Sequence, residues 1–217
     1  MIPEVQDEQI KNIRRSGVAC DLDDVLMNTK PFLFSHFKSL FGSIYSPEVL
    51  YFLYHTPSRN PEWDTPEKRA IIEEHLNRPE LYRDIPLLKE SKRTLLELQK
   101  NELFNSYITA RPHVLDKVTK SYLKSQELPD LPLVSRYFPN KYHQSNGQWK
   151  ATVLDKLFPK VRGIIDNGTD LFNQLERTKY PGFMILFGEE TLPFQPHFEA
   201  YAAPDWQAVK EILLSKC

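Results

Sequence analysis

Five short apolar runs, and what separates them, constrain the fold more than any other feature of this chain. They are Val18-Ala19-Cys20, Phe104 to Ile108, Leu133-Val134, Val161 to Ile165 and Phe183 to Phe187. Between the later runs, apolar residues recur at helical spacing, as in Val114, Val118, Tyr122 and Leu123, or Leu171, Phe172 and Leu175. Strands that alternate with helices join by crossovers rather than hairpins, which gives a parallel sheet covered on both faces. The expected class is α/β: a Rossmann-like parallel sheet with helices on both faces. A closing helix runs over Asp205 to Leu214, with Trp206, Val209, Ile212 and Leu213 on one side.

One interval breaks the rhythm. Cys20 to Phe104 is far longer than the roughly 30 residues of a simple strand–helix–strand unit. It carries its own helix starts, Ser46-Pro47-Glu48 and Thr65-Pro66-Glu67, each with a capping hydroxyl ahead of Pro and an acid. Helices are expected over Pro31 to Phe41, Pro47 to Tyr54 and Pro66 to Leu76, and a fourth near Glu90 to Lys100 returns the chain to the sheet. The expectation is a small helical cap, residues 30–84, inserted after strand 1 of a core made of 1–29 and 85–217. Phe34, Phe37 and Phe41 repeat at helical spacing, so most of the segment's aromatics are expected to form the cap's own small core.

Composition narrows the class of function. Lys and Arg number 28 against 29 Asp and Glu, a net charge of -1 that excludes nucleic-acid binding by bulk charge. The two cysteines, Cys20 and Cys217, lie nearly a chain apart and make neither a disulfide framework nor a CxxC metal site. The N-terminus, Met1 to Glu8, is acidic rather than apolar, and no apolar run reaches the ~18 residues of a membrane span. A cytoplasmic, soluble protein with no nucleic-acid or membrane partner is expected.

The chemistry concentrates after the first run, in Asp21-Leu22-Asp23-Asp24-Val25-Leu26. Ligands of an open parallel sheet sit beyond the carboxyl ends of its strands, so these acids face the expected site. Clustered carboxylates repel one another unless a cation compensates, although an acidic triplet can equally be a polar turn that caps a helix. Val25 and Leu26 exclude a calcium EF-hand loop, and Gly163 to Thr169 lacks the lysine of a Walker loop. Three further signals follow three further strands: Thr109-Ala110-Arg111-Pro112, Trp149-Lys150 at a helix start, and Asp166-Asn167-Gly168-Thr169-Asp170. Each alone reads as a turn, an exposed lysine or a helix cap; their order is what carries weight.

Together, from about Gly17 to Phe187, they resemble the haloacid dehalogenase superfamily of phosphohydrolases. Asp21-Leu22-Asp23-Asp24-Val25 matches the family's first motif, Thr109 the second, Lys150 the third, and Asp166 with Asp170 the fourth. The helical insertion lies where that family places its first type of cap. The stretches Leu81 to Pro86 and Ile108 to Pro112 look most like the 5'(3')-deoxyribonucleotidases, although Asn167 stands where those enzymes carry a second adjacent acid.

The resemblance implies a Mg²⁺-dependent phosphatase that hydrolyses a small phosphomonoester, a nucleotide being the leading candidate, through an aspartyl-phosphate. It implies Asp21 as nucleophile and Asp23 as acid and base with a raised pKa. Thr109 and Lys150 would hold the phosphoryl oxygens; Asp21, Asp166 and the carbonyl of Asp23 would hold Mg²⁺, with Asn167 or Asp170 in support. Ala110 and Arg111 are the candidate substrate contacts, and Arg111, His113, Lys141 and His143 are candidate partners for a second anionic group. Hard oxygen donors without Cys or His suit Mg²⁺ rather than Zn²⁺. Two other readings stand beside this one: a non-catalytic binding module, and a dehalogenase, against which Asp23 weighs.

Overall fold

The computed structural model describes residues 7–137 and 144–216. A short helix, α1 (Asp7–Lys11), precedes β1 (Gly17–Cys20). Helices α2 (Thr29–Phe41), α3 (Pro47–Tyr54) and α4 (Pro66–Leu76) then intervene before α5 (Ser91–Gln99) and β2 (Phe104–Pro112). The chain continues through α6 (Asp116–Ser125), β3 (Leu133–Arg136), α7 (Asn146–Leu157), β4 (Val161–Asp166) and α8 (Thr169–Thr178). It ends with β5 (Phe183–Phe187), β6 (Glu199–Ala203) and α9 (Trp206–Ser215). The strands form one sheet in the order β3-β2-β1-β4-β5-β6, with every neighbouring pair parallel.

The period-2 geometry of a strand divides the core in two. Phe183, Ile185 and Phe187 of β5 pack on one face with Leu95, Leu98, Tyr122, Trp206 and Val209 of α5, α6 and α9. Met184 and Leu186 point the other way, to Trp149, Leu154, Phe172 and Leu175 of α7 and α8. Each fully buried Leu, Ile or Phe contributes roughly 1.5–3 kcal/mol. Contrary to the expectation from the sequence, the aromatic residues of α2 to α4 do not form a core of their own. Phe34, Phe37 and Trp63 are continuous with the first face, while Phe52 is 77% exposed. The reason is proximity: Met27 bridges to Leu87, and the Asn28 N–H donates to Pro86 O at 2.8 Å, so the two linkers lie side by side on the sheet end.

Local signals explain most boundaries. Ser46 and Thr65 accept from the N–H groups of Val49 and Lys68, capping α3 and α4 as their Ser/Thr-Pro-Glu starts predict. Helix α7 begins at Asn146 rather than at Trp149, because Ser145 and Gln148 form a capping box. Strand β6 was not expected; Glu199-Ala200-Tyr201-Ala202-Ala203 lacks β-branched residues and is held by its register with β5. No helix among the described residues is long and apolar enough to cross a membrane. Lys141, His143 and Cys217 lie outside the described residues.

Candidate active site

The chain runs from β1 outward to β2 and β3, then returns to place β4 on the other side of β1. Such a switch in direction opens a crevice at the carboxyl ends of the strands. Here it is a cleft of about 400 Å³, lined among others by Asp21, Asp23, Asp24, Lys150, Asp166 and Asn167. Lys30, Leu33, His55, Thr56 and Pro57 close it from the insertion side.

Asp21 follows the last residue of β1 and Asp166 ends β4, so adjacent parallel strands deliver two carboxylates to one point. Both are buried, as is Lys150, one turn into α7. The Lys150 ammonium bridges them, 2.8 Å from Asp21 Oδ2 and 2.5 Å from Asp166 Oδ2. Asp166 Oδ1 accepts from the Gly168 N–H at 2.7 Å, whereas Asp21 Oδ1 is buried with no hydrogen-bond partner among the described residues. Burial, opposed by Lys150 and assisted by Asp166 and Asp23, pushes Asp21 up to about 7. Although burial acts against the charged ammonium, Asp166 and Asp21 raise the pKa of Lys150.

Asp23 departs from expectation. Its carboxylate receives Arg111 Nε at 2.9 and 3.1 Å, Arg111 Nη2 at 2.5 Å and Thr29 Oγ1 at 2.7 Å. Burial raises its pKa, but the Arg111 charge and these hydrogen bonds outweigh it and hold Asp23 below the ordinary carboxylate value. The raised pKa expected from neighbouring acids is therefore corrected, and the reason is a guanidinium 88 positions away, a pairing with no local signature along the chain. Arg111 itself, expected as a substrate contact, is 5% exposed and committed to Asp23.

The remaining candidates divide. Ala110 and Asn167 line the cleft. Thr109 is buried at 1% exposure, and its hydroxyl oxygen accepts from the Arg111 N–H at 3.2 Å. Asp170 borders the cleft, yet its Oδ2 accepts from the Gly147 N–H at 3.0 Å, at the start of α7. Asp24 sits in the left-handed region at φ 58°, which Asp tolerates better than most residues, and its Oδ1 accepts from the Lys30 N–H at 2.8 Å. Its role is to turn the chain into α2. Thr29, Tyr82 and Gly147 were not anticipated; Thr29 had one available signal, its place six residues after Asp23.

The lining holds five carboxylates (Asp21, Asp23, Asp24, Asp166, Asp170) and three cations (Lys30, Arg111, Lys150), two negative charges in excess among the described residues. That excess and the partnerless Asp21 Oδ1 fit a divalent, oxygen-preferring cation. Among the described residues no group of three or more His, Cys, Asp or Glu side chains forms a metal cluster. Two carboxylates with a backbone carbonyl do not require one.

No protein-family model matches this chain, and no curated protein matches it. Solved structures do. A HAD-family hydrolase from Deinococcus radiodurans, crystallised with bound phosphate and sodium, shares the fold at TM-score 0.60 and 12% identity, covering 94% of this chain and 96% of that one. A provisionally assigned β-phosphoglucomutase from Thermotoga maritima gives TM-score 0.61 and 13% identity, over 93% and 100% of the two chains. A HAD-superfamily hydrolase from Ehrlichia chaffeensis gives 0.54 and 11%, over 93% and 98%. With its parallel six-stranded sheet and these neighbours, the chain has the fold of the haloacid dehalogenase superfamily of hydrolases.

Proposed function

We propose that this protein is a phosphatase of the haloacid dehalogenase type, hydrolysing a small phosphomonoester in two steps through a phosphorylated Asp21. One observation carries the reading: a buried lysine bridges two buried carboxylates at the switch point, leaving one oxygen of Asp21 without a partner among the described residues. The Deinococcus hydrolase of the same fold was crystallised with phosphate.

Asp21 Oδ1 attacks phosphorus while the ester P–O bond breaks, and the alcohol leaves with a proton that Asp23, a carboxylate in the free protein, takes up as the ester binds. Asp23, now a carboxylate, takes a proton from the water that next attacks phosphorus, releasing phosphate and restoring Asp21. The pairing with Arg111 and Thr29 favours the carboxylate form and so suits this second step. Lys150 holds the oxygens of Asp21 and Asp166 together and offers positive charge to the transferring group. Asp21, Asp166 and the Asp23 carbonyl would hold Mg²⁺, with Asn167 beside them; when bound, it offsets repulsion between carboxylate and phosphate. Residues 30–84 act as the cap, with Lys30, His55 and Thr56 as its cleft-facing side chains. The nucleotide reading rests on the Leu81 to Pro86 and Ile108 to Pro112 segments alone. A reducing, cytoplasmic setting fits the free buried Cys20.

Phosphate release from a panel of 5'- and 3'-nucleotides and sugar phosphates, with Mg²⁺ and with EDTA, tests the proposal. Metal-dependent release is expected, falling roughly 10³-fold or more in Asp21→Asn with the fold retained. Undiminished turnover in Asp21→Asn overturns the assignment of the nucleophile. Bound Mg²⁺ without turnover on any ester supports the binding module instead, and halide release without phosphate release supports a dehalogenase.

A further inference from the structure

Arg111 is a buried cation whose side chain does not project freely into the cleft, although its backbone ends β2 beside it. Its Nε and Nη2 engage both oxygens of Asp23, at 2.9 and 2.5 Å at their shortest. The guanidinium is fixed from other directions as well. The Tyr82 ring lies 4.7 Å from its central carbon, Met27 Sδ is 3.1 Å from Nη2, and Thr119 Oγ1 is 3.5 Å from Nη1. Tyr82 is held in turn by donating to Leu76 O at 2.7 Å. Thr29, at the start of α2, binds the same Asp23 oxygen as Arg111. A planar fork that grips both carboxylate oxygens removes the rotation of that carboxylate about its last bond, which a lysine in the same place cannot do. The Asp23 side chain is still 30% exposed and lines the cleft, so the group the fork holds remains within reach of a ligand.

We propose that Arg111 is a positioning residue that aims the Asp23 carboxylate at the leaving oxygen. Thr29 at the entrance of the insertion and Tyr82 near its exit complete the clamp. The inference deepens the phosphatase reading and rests on it. In this role Arg111 acts through Asp23, the group its side chain pairs with. It also explains why an arginine in the expected substrate-binding position has no room for a second anionic group.

The experiment compares two substrates whose leaving groups differ in their need for a proton. An alkyl phosphate such as glycerol phosphate needs one, and p-nitrophenyl phosphate does not. The variants are Asp23→Asn, Arg111→Gln, Arg111→Lys and the Asp23→Asn/Arg111→Gln double variant, each with its melting temperature recorded. Asp23→Asn is expected to lower kcat on the alkyl ester by about 10²-fold or more, with a much smaller loss on the aryl ester. Arg111→Gln is expected to lower the alkyl-to-aryl ratio by about tenfold or more and to add nothing in the Asp23→Asn background. Arg111→Lys, which keeps the charge and protects the fold, should fall between Arg111→Gln and the parent protein. Equal losses on both esters in Arg111→Gln and Arg111→Lys, with the split preserved in Asp23→Asn, overturn the positioning role and leave the phosphatase reading standing. Absence of the split in Asp23→Asn removes Asp23 as proton donor and overturns the positioning role, whereas no phosphate release from either ester by the parent protein overturns the phosphatase reading.

Discussion

Lys150 shows how one residue can hold a site together. It is the cation that Asp21 and Asp166 share, and all three are buried. Removing one member of such a group leaves uncompensated charge in a low dielectric, at a cost of about 3–5 kcal/mol. Lys150→Met is therefore expected to destabilise the apo protein by that amount in urea unfolding, and added Mg²⁺ should recover part of it. A loss below about 1 kcal/mol would mean that the bridge is not formed in solution. The acids at positions 21 and 166 were visible in the sequence because each follows an apolar run. The clamp on Asp23 was not, since ion pairing between distant positions leaves no local pattern.

Two elements deliver Lys150 to its partners, and their fit is tight at Gly147. A Cβ there would lie 2.6 Å from the backbone of Asp170 and of Leu171. Gly147→Ala is thus expected to push α7 away from α8, costing about 1–3 kcal/mol and lowering kcat as Lys150 moves with its helix. Differential scanning calorimetry and steady-state rates on the same preparation check both. The Asp170 carboxylate holds the same junction, which is a structural task for a residue expected to support the metal. Helices α2 and α4 meet through His36 Nε2 and His75 Nδ1, 2.8 Å apart. Partial burial, the His75 ring and Arg78 depress the pKa of His36. The native state therefore binds fewer protons than the unfolded chain just below pH 6.5, so stability present above that pH is lost as pH falls. The raised Asp21 acts in the opposite sense over this range, so the pair is read as a difference: the melting temperature of the parent protein minus that of His36→Gln should fall on acidification from pH 7 to 5. A difference that stays constant over this range would remove the pair as its cause.

Across the whole molecule, the last helix steadies the first loop. Trp206, fully buried in α9, donates its indole N–H to Val25 O at 2.8 Å, inside the turn that carries the acids. Trp206→Phe leaves that carbonyl without its partner and is expected to cost about 1–3 kcal/mol in urea unfolding, with turnover falling in parallel. An unaltered rate at reduced stability would show that the turn keeps its shape without the bond. The order of helices and strands, the parallel sheet and the acids at strand ends were all readable from the linear chain. Apolar periodicity, Ser/Thr-Pro-Glu starts and carboxylates after apolar runs are local signals, and local signals survive in one dimension. β6 escaped because its strand character comes from its neighbour β5 and not from its own residues. The pairing of Asp23 with Arg111, the sharing of Lys150 and the bond from Gly147 at the start of α7 to Asp170 were decided only by tertiary structure. Burial strengthens charge interactions between residues that packing alone brings together, and neither packing nor local dielectric is written in the spacing of residues along the chain.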